Sequence, residues 1–172
     1  MEFIEILNPK TVAVHLNVNT KAEALDAMAE MLLKAEIIND KEAYIKDVYE
    51  REAIGETGIG NYIAIPHGKS KAVVTPGVAV ATLDHEIEWE SLDDTGAKII
   101  ILFAVGADNE AAQDHLRMLA MFSKRLGNDA VIGGLLGADS VEEVLKAFLS
   151  EEEISDEESE EADIDLDDIS IA

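Results

Sequence analysis

Apolar and polar residues follow two different periods along the first 150 positions of the chain. From Thr11 to Leu16 every second residue is a larger apolar one, which predicts a half-buried β-strand. Elsewhere apolar residues recur every three or four positions after a capping residue, such as Thr20 with Glu23 three residues later, which predicts amphipathic helices. The predicted helices cover residues 20–35, 41–54, 109–126, 130–136 and 141–149.

The strand pattern decides the fold class. Shorter apolar segments predict strands over residues 62–65 and 77–83, and Gly55–Gly60 is predicted to be a loop. The run from Lys98 to Val105 is apolar at every position after the lysine, as in a central strand that is covered on both faces. Because strands and helices alternate, we expect an α/β fold: a single domain with a mixed β-sheet flanked by helices on both faces.

Charge divides the chain into two parts. The formal net charge is −24, and residues 151–172 hold 12 of the 37 acidic residues but no Lys or Arg. Blocks of like charge repel each other and stay extended. We therefore predict a folded domain over residues 1–150 and an acidic, disordered tail or linker over residues 151–172. A docking tail for a basic partner is the alternative.

Composition excludes several classes of function. The strong negative charge argues against nucleic-acid binding, which depends on Lys and Arg. The absence of cysteine excludes disulfides, thiolate metal sites and cysteine nucleophiles. No apolar run approaches the roughly 18 residues of a membrane helix, and no signal peptide is evident at the start of the chain. We expect a soluble protein of the cytoplasm that is not inserted in the membrane.

The most informative segment ends in a histidine between a proline and a glycine. Pro66 fixes the backbone direction before His67, and Gly68 leaves room for a large group to approach. A glycine-containing loop precedes this segment. The pattern favours an imidazole presented at the surface as a nucleophile over a histidine that only fills a turn.

Two further residues are candidates for the same site. His115 lies on the apolar side of its predicted helix, near the helix start, so it either faces a site at His67 or is a core histidine. Arg51 shares a helical stripe with Tyr44 and Val48, where it either binds an anion or pairs with a neighbouring carboxylate. These residues suit covalent phosphoryl transfer, in which a neutral imidazole attacks phosphorus while cations and N–H groups stabilise the oxygens.

Rival chemistries find less support in the sequence. No metal-binding spacing of histidines is present, and His67 and His115 alone are a weak metal signal. The sequence Gly68-Lys69-Ser70 resembles the end of a phosphate-binding P-loop, but the required upstream glycine is missing. No motif supports a serine nucleophile. We therefore expect no metal.

Together these motifs resemble the enzyme IIA domain of the fructose/mannitol class, from the bacterial phosphoenolpyruvate-dependent sugar phosphotransferase system. The resemblance covers roughly residues 1–149. The residues that carry it are Arg51-Glu52, Thr57-Gly58-Ile59-Gly60, Ile63-Ala64-Ile65-Pro66-His67-Gly68, His115-Leu116 and Leu119-Ala120. It implies that His67 accepts phosphate, through Nε2, and that His115 and Arg51 assist. It implies no metal or organic cofactor.

The resemblance also implies partners. The phosphoryl group would come from the histidine-containing phosphocarrier protein and pass to an enzyme IIB domain during sugar uptake of the fructose type, in association with a membrane IIC subunit. A nitrogen-related regulatory enzyme IIA is the alternative. The predicted phosphate- or partner-binding residues are Thr57, Gly58, Ile59, Gly60 and Gly68, and an apolar docking patch is expected at Ile59, Tyr62 and Phe122. Glu56 and Tyr62 depart from the residues frequent in the family.

Overall fold

The computed structural model describes residues 3–149. The helices are α1 (Phe3–Ile6), α2 (Lys21–Lys34), α3 (Lys41–Glu52), α4 (Asn109–Leu126), α5 (Asp129–Leu136) and α6 (Val141–Leu149), with a 3-10 turn at Pro9–Thr11. The strands are β1 (Val12–Leu16), β2 (Gly58–Gly60), β3 (Ile63–Ala64), β4 (His67–Lys69), β5 (Gly77–Ile87) and β6 (Ala97–Val105). The predicted tail, residues 151–172, lies outside the described residues.

The strands form one mixed sheet around β6. The order is β1-β5-β6-β3-β2, in which β1 runs parallel to β5, β5 antiparallel to β6, and β3 parallel to β6. Strand β4 also pairs parallel with β6, beyond β3 on the same side, with His67 opposite Phe103. The short strands β3 and β4 therefore divide one edge of β6 between them, and the chain bends at Ile65–Pro66.

Alternate residues of β6 enter two separate cores. Ile100, Leu102 and Ala104 pack in the core formed with α2 and α3. The intervening residues enter the other core, which contains side chains of α1, α4, α5 and α6; they are Ile99, Ile101, Phe103 and Val105. This alternation confirms the predicted central strand, and the predicted α/β class with helices on both faces of a mixed sheet is correct.

Capping residues begin the helices where the sequence predicted. The Thr20 hydroxyl accepts a hydrogen bond from the Glu23 N–H at 3.1 Å, and Ser140 does the same for Glu143 at 3.1 Å. Asp108, which directly precedes the helix predicted over residues 109–126, accepts from the Ala111 N–H at 2.7 Å. Within residues 3–149, no helix is both long enough and apolar enough to cross a bilayer.

Three short strands differ from the prediction. The predicted loop at 55–60 ends in β2, because Gly58 N–H bonds to Glu90 O and Ile65 N–H bonds to Thr57 O. The strand predicted over 62–65 is limited to Ile63–Ala64. Strand β4 was not predicted, since Pro66 was expected to end the strand; the chain resumes pairing with β6 directly after the proline.

Three consecutive residues, ending at Tyr62, have left-handed backbone conformations. Gly60, Asn61 and Tyr62 have φ values of 92°, 56° and 66° in succession. The turn is held by hydrogen bonds from Asn61 N–H to Asp93 and from Tyr62 N–H to Thr95. Glycine adopts such φ values without steric cost, whereas Asn61 and Tyr62 adopt them with a side chain present.

Gly68 is closely packed beneath the candidate site. A Cβ at this position would lie 2.6 Å from Tyr44 Cε1 and 2.7 Å from Val48 Cγ2, and both neighbours are buried in α3. We predict that Gly68→Ala lowers the free energy of unfolding by about 1–3 kcal/mol, because the added methyl overpacks this contact. Gly55→Ala is the matched control, since no atom lies within 4 Å of the added Cβ. Equal stability of both variants in urea denaturation would contradict the packing account.

Candidate functional site

His67 lies on an edge strand that both helical layers can reach. Strand β4 pairs only with β6 among the described residues, and the Phe103 N–H bonds to Pro66 O at 3.0 Å, which fixes the start of the strand. Gly68 faces α3, so the side chain of His67 points to the other face, where α4 packs. The open edge lets an arginine from α3 and a histidine from α4 meet the same imidazole.

The hydrogen bonds of His67 fix its tautomer. Nδ1 lies 3.2 Å from Ile65 O, and a carbonyl oxygen can only accept, so Nδ1 carries the proton. Nε2 then has a free electron pair, which accepts a hydrogen bond from Arg51 Nε–H at 2.9 Å. The two contacts are consistent with one neutral tautomer. Nε2 is therefore the nucleophilic nitrogen of this ring.

Arg51 is held by the loop that follows its own helix. It lies near the end of α3, and Nη1 donates to Gly55 O at 3.2 Å while Nε donates to His67. The sequence left open an ion pair of Arg51 with Asp47 or Glu52. In residues 3–149 no carboxylate forms a salt bridge with Arg51, because Glu52 bonds to Thr57 and Lys21 instead.

His115 completes the group. Its ring lies against that of His67, with the centroids 4.7 Å apart and the planes inclined at 50°, and its other side lies near Phe103. His115 Nε2 is buried, and no hydrogen-bond partner for it is present in the described part of the chain. A buried polar atom without a partner is costly unless a bound group satisfies it. The structure thus brings together the three residues that the sequence singled out.

The electrostatic surroundings favour neutral imidazoles. Burial lowers the pKa of His67 from 6.5 to about 4, with help from the nearby His115 and Arg51 and against the hydrogen bond to Ile65 O. Burial also lowers the pKa of His115, and the charges of Lys69 and Arg51 act in the same direction. Both rings therefore keep a free electron pair at neutral pH.

Sequence reasoning missed Lys69. It follows His67 by two positions on β4, and strand alternation places both side chains on the same face of the sheet. The described residues include no ion-pair partner for it. The alternation could have revealed this second cation if β4 had been predicted as a strand.

The predicted loop residues divide into buried and exposed ones. Thr57, Gly58 and Gly60 are buried, as is Gly68, and the Thr57 hydroxyl already bonds to Glu52 and Trp89. A direct contact of this hydroxyl with phosphate would require those bonds to break, so its observed role is to anchor the loop. Ile59 is 39% exposed at the surface of the same segment, in keeping with the predicted apolar patch.

The predicted docking patch needs one correction. Tyr62 is 40% exposed, but Phe122 is fully buried among the rings of Phe3, Phe103 and Phe148 and contributes nothing to the surface. Phe122 lies with Met118 and Leu126 on the part of α4 that faces the core. Leu116, which directly follows His115, is 57% exposed and is the apolar surface residue that the sequence reasoning overlooked.

The geometry combines one nucleophilic nitrogen, a guanidinium bonded to it and a second imidazole with an unsatisfied buried nitrogen. Such an arrangement can accept a phosphoryl group and stabilise its oxygens. Within residues 3–149 no cluster of His, Asp and Glu could hold a metal ion. Fold and site together define a class of small α/β proteins in which two imidazoles and a guanidinium meet at one sheet edge, an arrangement suited to phosphoryl transfer.

Comparison with known families gives this class a name. The model of the family "Phosphoenolpyruvate-dependent sugar phosphotransferase system, EIIA 2" matches residues 5–151. The chain belongs to this family of phosphotransfer proteins, as its motifs indicated.

Relatives in the family differ in size and in described role. The chain is 32% identical over 145 residues to the fructose-specific EIIABC component of Bacillus subtilis, but spans only 22% of that protein. It is 34% identical over 125 residues to the fructose-specific EIIA component of Haloferax volcanii, covering 73% of this chain and 80% of that protein. It is 28% identical over 158 residues to the nitrogen regulatory protein of Escherichia coli, covering 91% and 95%.

Solved structures have the same fold. The IIA-Ntr protein of Neisseria meningitidis superimposes with a TM-score of 0.76 at 21% identity, over 84% of this chain and 97% of that one. The IIA mannitol protein of Escherichia coli gives a TM-score of 0.69 at 28% identity, over 82% and 97%. A complex of enzyme IIA-Mtl with phosphorylated enzyme IIB-Mtl from Escherichia coli gives 0.71 at 24% identity, over 83% and 96%.

The depressed pKa of His67 can be measured directly. We predict that its ring remains neutral and protonated at Nδ1 at pH 5.5, and takes up a second proton only near pH 4. Long-range proton–nitrogen NMR spectra across pH 3–8 would show this. Between about pH 6.5 and 4 the folded state then binds fewer protons than the unfolded chain, so stability falls as pH falls. A normal imidazole titration at His67, or Nε2–H as the main tautomer, would contradict the site geometry.

Proposed function

We propose that this protein is a phosphohistidine carrier. His67 accepts a phosphoryl group from the histidine-containing phosphocarrier protein and passes it to an enzyme IIB domain in sugar uptake of the fructose type. The single observation that carries the proposal is the state of the His67 ring. Ile65 O holds the proton on Nδ1, so the electron pair of Nε2 is available to phosphorus.

The transfer step needs little rearrangement of the site. The Nε2 electron pair forms the new N–P bond as the donor's P–N bond breaks and its electron pair returns to the donor nitrogen. Arg51 Nε–H occupies that position before the reaction. As phosphorus bonds to Nε2, the guanidinium moves from the nitrogen to a phosphoryl oxygen, where a charge-assisted hydrogen bond is stronger.

His115 and Lys69 add stabilisation from the α4 side. The unsatisfied Nε2 of His115 becomes a donor to a phosphoryl oxygen when it carries the ring proton or when the ring takes up a second proton. The incoming negative charge favours that second proton. Lys69 adds positive charge on the same face of β4. Together with Arg51, these groups meet the requirement of phosphoryl transfer for charge stabilisation around the oxygens.

The partner proteins follow from the relatives. The fructose-specific relatives and the IIA–IIB mannitol complex support an enzyme IIB acceptor, for which Ile59 and Leu116 offer exposed apolar contacts. Phosphate passes between protein side chains in this reaction, so no residue of this domain indicates which sugar is transported. A cytoplasmic location is part of the proposal, because the donor is a protein of that compartment.

A regulatory role is the second candidate. The chain matches 95% of the length of the Escherichia coli nitrogen regulatory protein, and the match extends over 91% of this chain. In that case His67 is phosphorylated in the same way, but the phosphorylated and free forms bind different proteins. Incubation of the phosphorylated protein with candidate IIB domains separates the two roles, since only a transport component passes the group on.

Phosphate acceptance should depend on His67. We predict that His67→Gln folds and accepts no acid-labile phosphate from phosphoenolpyruvate and the two general phosphotransferase proteins, because the nucleophilic nitrogen is gone. His15→Gln is the matched control, a histidine paired with Asp84 and Asp139 at another place in the fold. Radiolabel retained by the His67 variant would overturn the proposed function.

Removal of His115 should slow transfer without abolishing it. We predict that His115→Ala reduces the phosphorylation rate of His67 roughly 100-fold, as the loss of one oxyanion donor does in other enzymes. Gln113→Ala serves as control, because Gln113 is exposed on the same helix. Rapid-quench measurement of the transfer rate distinguishes the outcomes. A native rate in the His115 variant would return this residue to a packing role.

A further inference from the structure

A buried polar network lies behind the site and includes the residue next to Arg51. The Glu52 carboxylate is 6% exposed at the end of α3, and its oxygens lie 2.6 and 2.9 Å from Thr57 Oγ1. Lys21 Nζ, at the start of α2, lies 3.4 Å from the same carboxylate. Trp89 Nε1 donates to Thr57 Oγ1 at 2.9 Å. We call these four residues the Glu52 network.

The polar groups of the network are hydrogen-bond or charge partners of one another. The Thr57 hydroxyl donates its proton to Glu52 and accepts the indole proton, so both of its hydrogen-bonding roles are used. Lys21 Nζ lies 3.4 Å from the buried carboxylate, donates to the exposed Glu90 at 2.7 Å, and lies 4.8 Å from the centre of the Trp89 ring. A buried carboxylate is costly without such partners. The network is therefore a fixed arrangement that resists rearrangement of Glu52.

The network fixes the loop that holds Arg51. It ties the end of α3 to Thr57, and so sets the path of residues 53–56 between them. Gly55 in this loop accepts the bond from Arg51 Nη1 at 3.2 Å. At Thr57 and Gly58 the backbone continues into bonds with Ile65 and Glu90. A change at Thr57 therefore reaches the guanidinium through Glu56 and Gly55.

The network also keeps a carboxylate away from the guanidinium. Glu52 is the sequence neighbour of Arg51, and a surface ion pair between them was a reasonable expectation from the sequence. Such a pair would occupy N–H donors that Arg51 needs for phosphate. It would also place a negative charge beside the position where the phosphoryl group brings further negative charge. In the structure Thr57 and Lys21 hold the carboxylate inward, and Arg51 bonds to His67.

We propose that Glu52, held by Lys21 and Thr57, is a positioning residue for phosphoryl transfer, which keeps Arg51 aligned on His67 Nε2 and free of carboxylate partners. This inference rests on the proposed function of His67 and adds residues that touch neither phosphate nor imidazole. It predicts a defect in the transfer rate per folded molecule, beyond any loss of stability.

Thr57→Val is the most direct test, because it removes the hydroxyl and nearly preserves the volume. We expect the phosphoryl-transfer rate at saturating donor protein to fall about tenfold or more, since small misplacements of a positioning group have effects of this size. Thr57→Ser should restore most of the rate. Thr11→Val is the matched control: it removes another buried hydroxyl, which donates to Val78 O, but it does so away from the site.

A second measurement needs no phosphate. In NMR spectra of the unphosphorylated protein, the hydrogen bond between Arg51 Nε–H and His67 Nε2 should be lost or weakened in Thr57→Val and in Lys21→Met, and kept in Thr11→Val. Lys21→Met tests the network independently if Thr57→Val does not fold. An unchanged bond together with an unchanged rate in a folded variant would overturn the inference. If the wild type itself accepts no phosphate, the proposed function fails, while the NMR result still decides whether the network aligns Arg51.

Discussion

The pairing of β4 with the far half of β6 is the constraint on which the site depends. Gly68 presses against Tyr44 and Val48 of α3, so the two flanking residues of β4 must point to the opposite face. His67 thereby meets His115 of α4, while the open strand edge admits Arg51 from the other layer. Three segments that are distant in the sequence thus converge because one glycine permits close packing.

Electrostatics give this small cluster its chemical character. The protein carries a formal charge of −24, yet Arg51 and Lys69 face the imidazoles without a salt bridge to any carboxylate of residues 3–149. Burial of the rings lowers the pKa of both histidines and keeps them neutral; the charge of Arg51 acts in the same direction on both, and that of Lys69 on His115. The same charges are suited to a phosphoryl group, which brings the negative charge that the site lacks.

Periodicity was sufficient to predict the parts of the fold that depend on local pattern. Helix starts at Thr20, Asp108 and Ser140 follow from capping chemistry, and the central position of β6 follows from its continuous apolar run. Strand β4 could not be found in this way, because three residues after a proline carry no period. Its pairing depends on β6, a segment some thirty residues later in the chain.

The sequence was sufficient to identify the three residues of the candidate site, but not the contacts that hold them in place. His67, Arg51 and His115 were recognisable from a proline–histidine–glycine setting and two helical faces. The direction of Glu52 was not, because a carboxylate beside Arg51 has two possible partners and the sequence does not show which is nearer. Burial of Phe122 was misjudged for a related reason: a helical arc that reaches the site at His115 lies in the core about two turns later, at Phe122.

The central claim is that Nε2 of His67 is the atom that forms the bond to phosphorus. The most direct measurement is nitrogen-15 and phosphorus-31 NMR of the uniformly nitrogen-labelled protein after phosphorylation from phosphoenolpyruvate. The account predicts a phosphorus–nitrogen coupling at His67 Nε2, with the proton retained on Nδ1 beside Ile65 O. Phosphate bonded to Nδ1, to another histidine or to no histidine would contradict it.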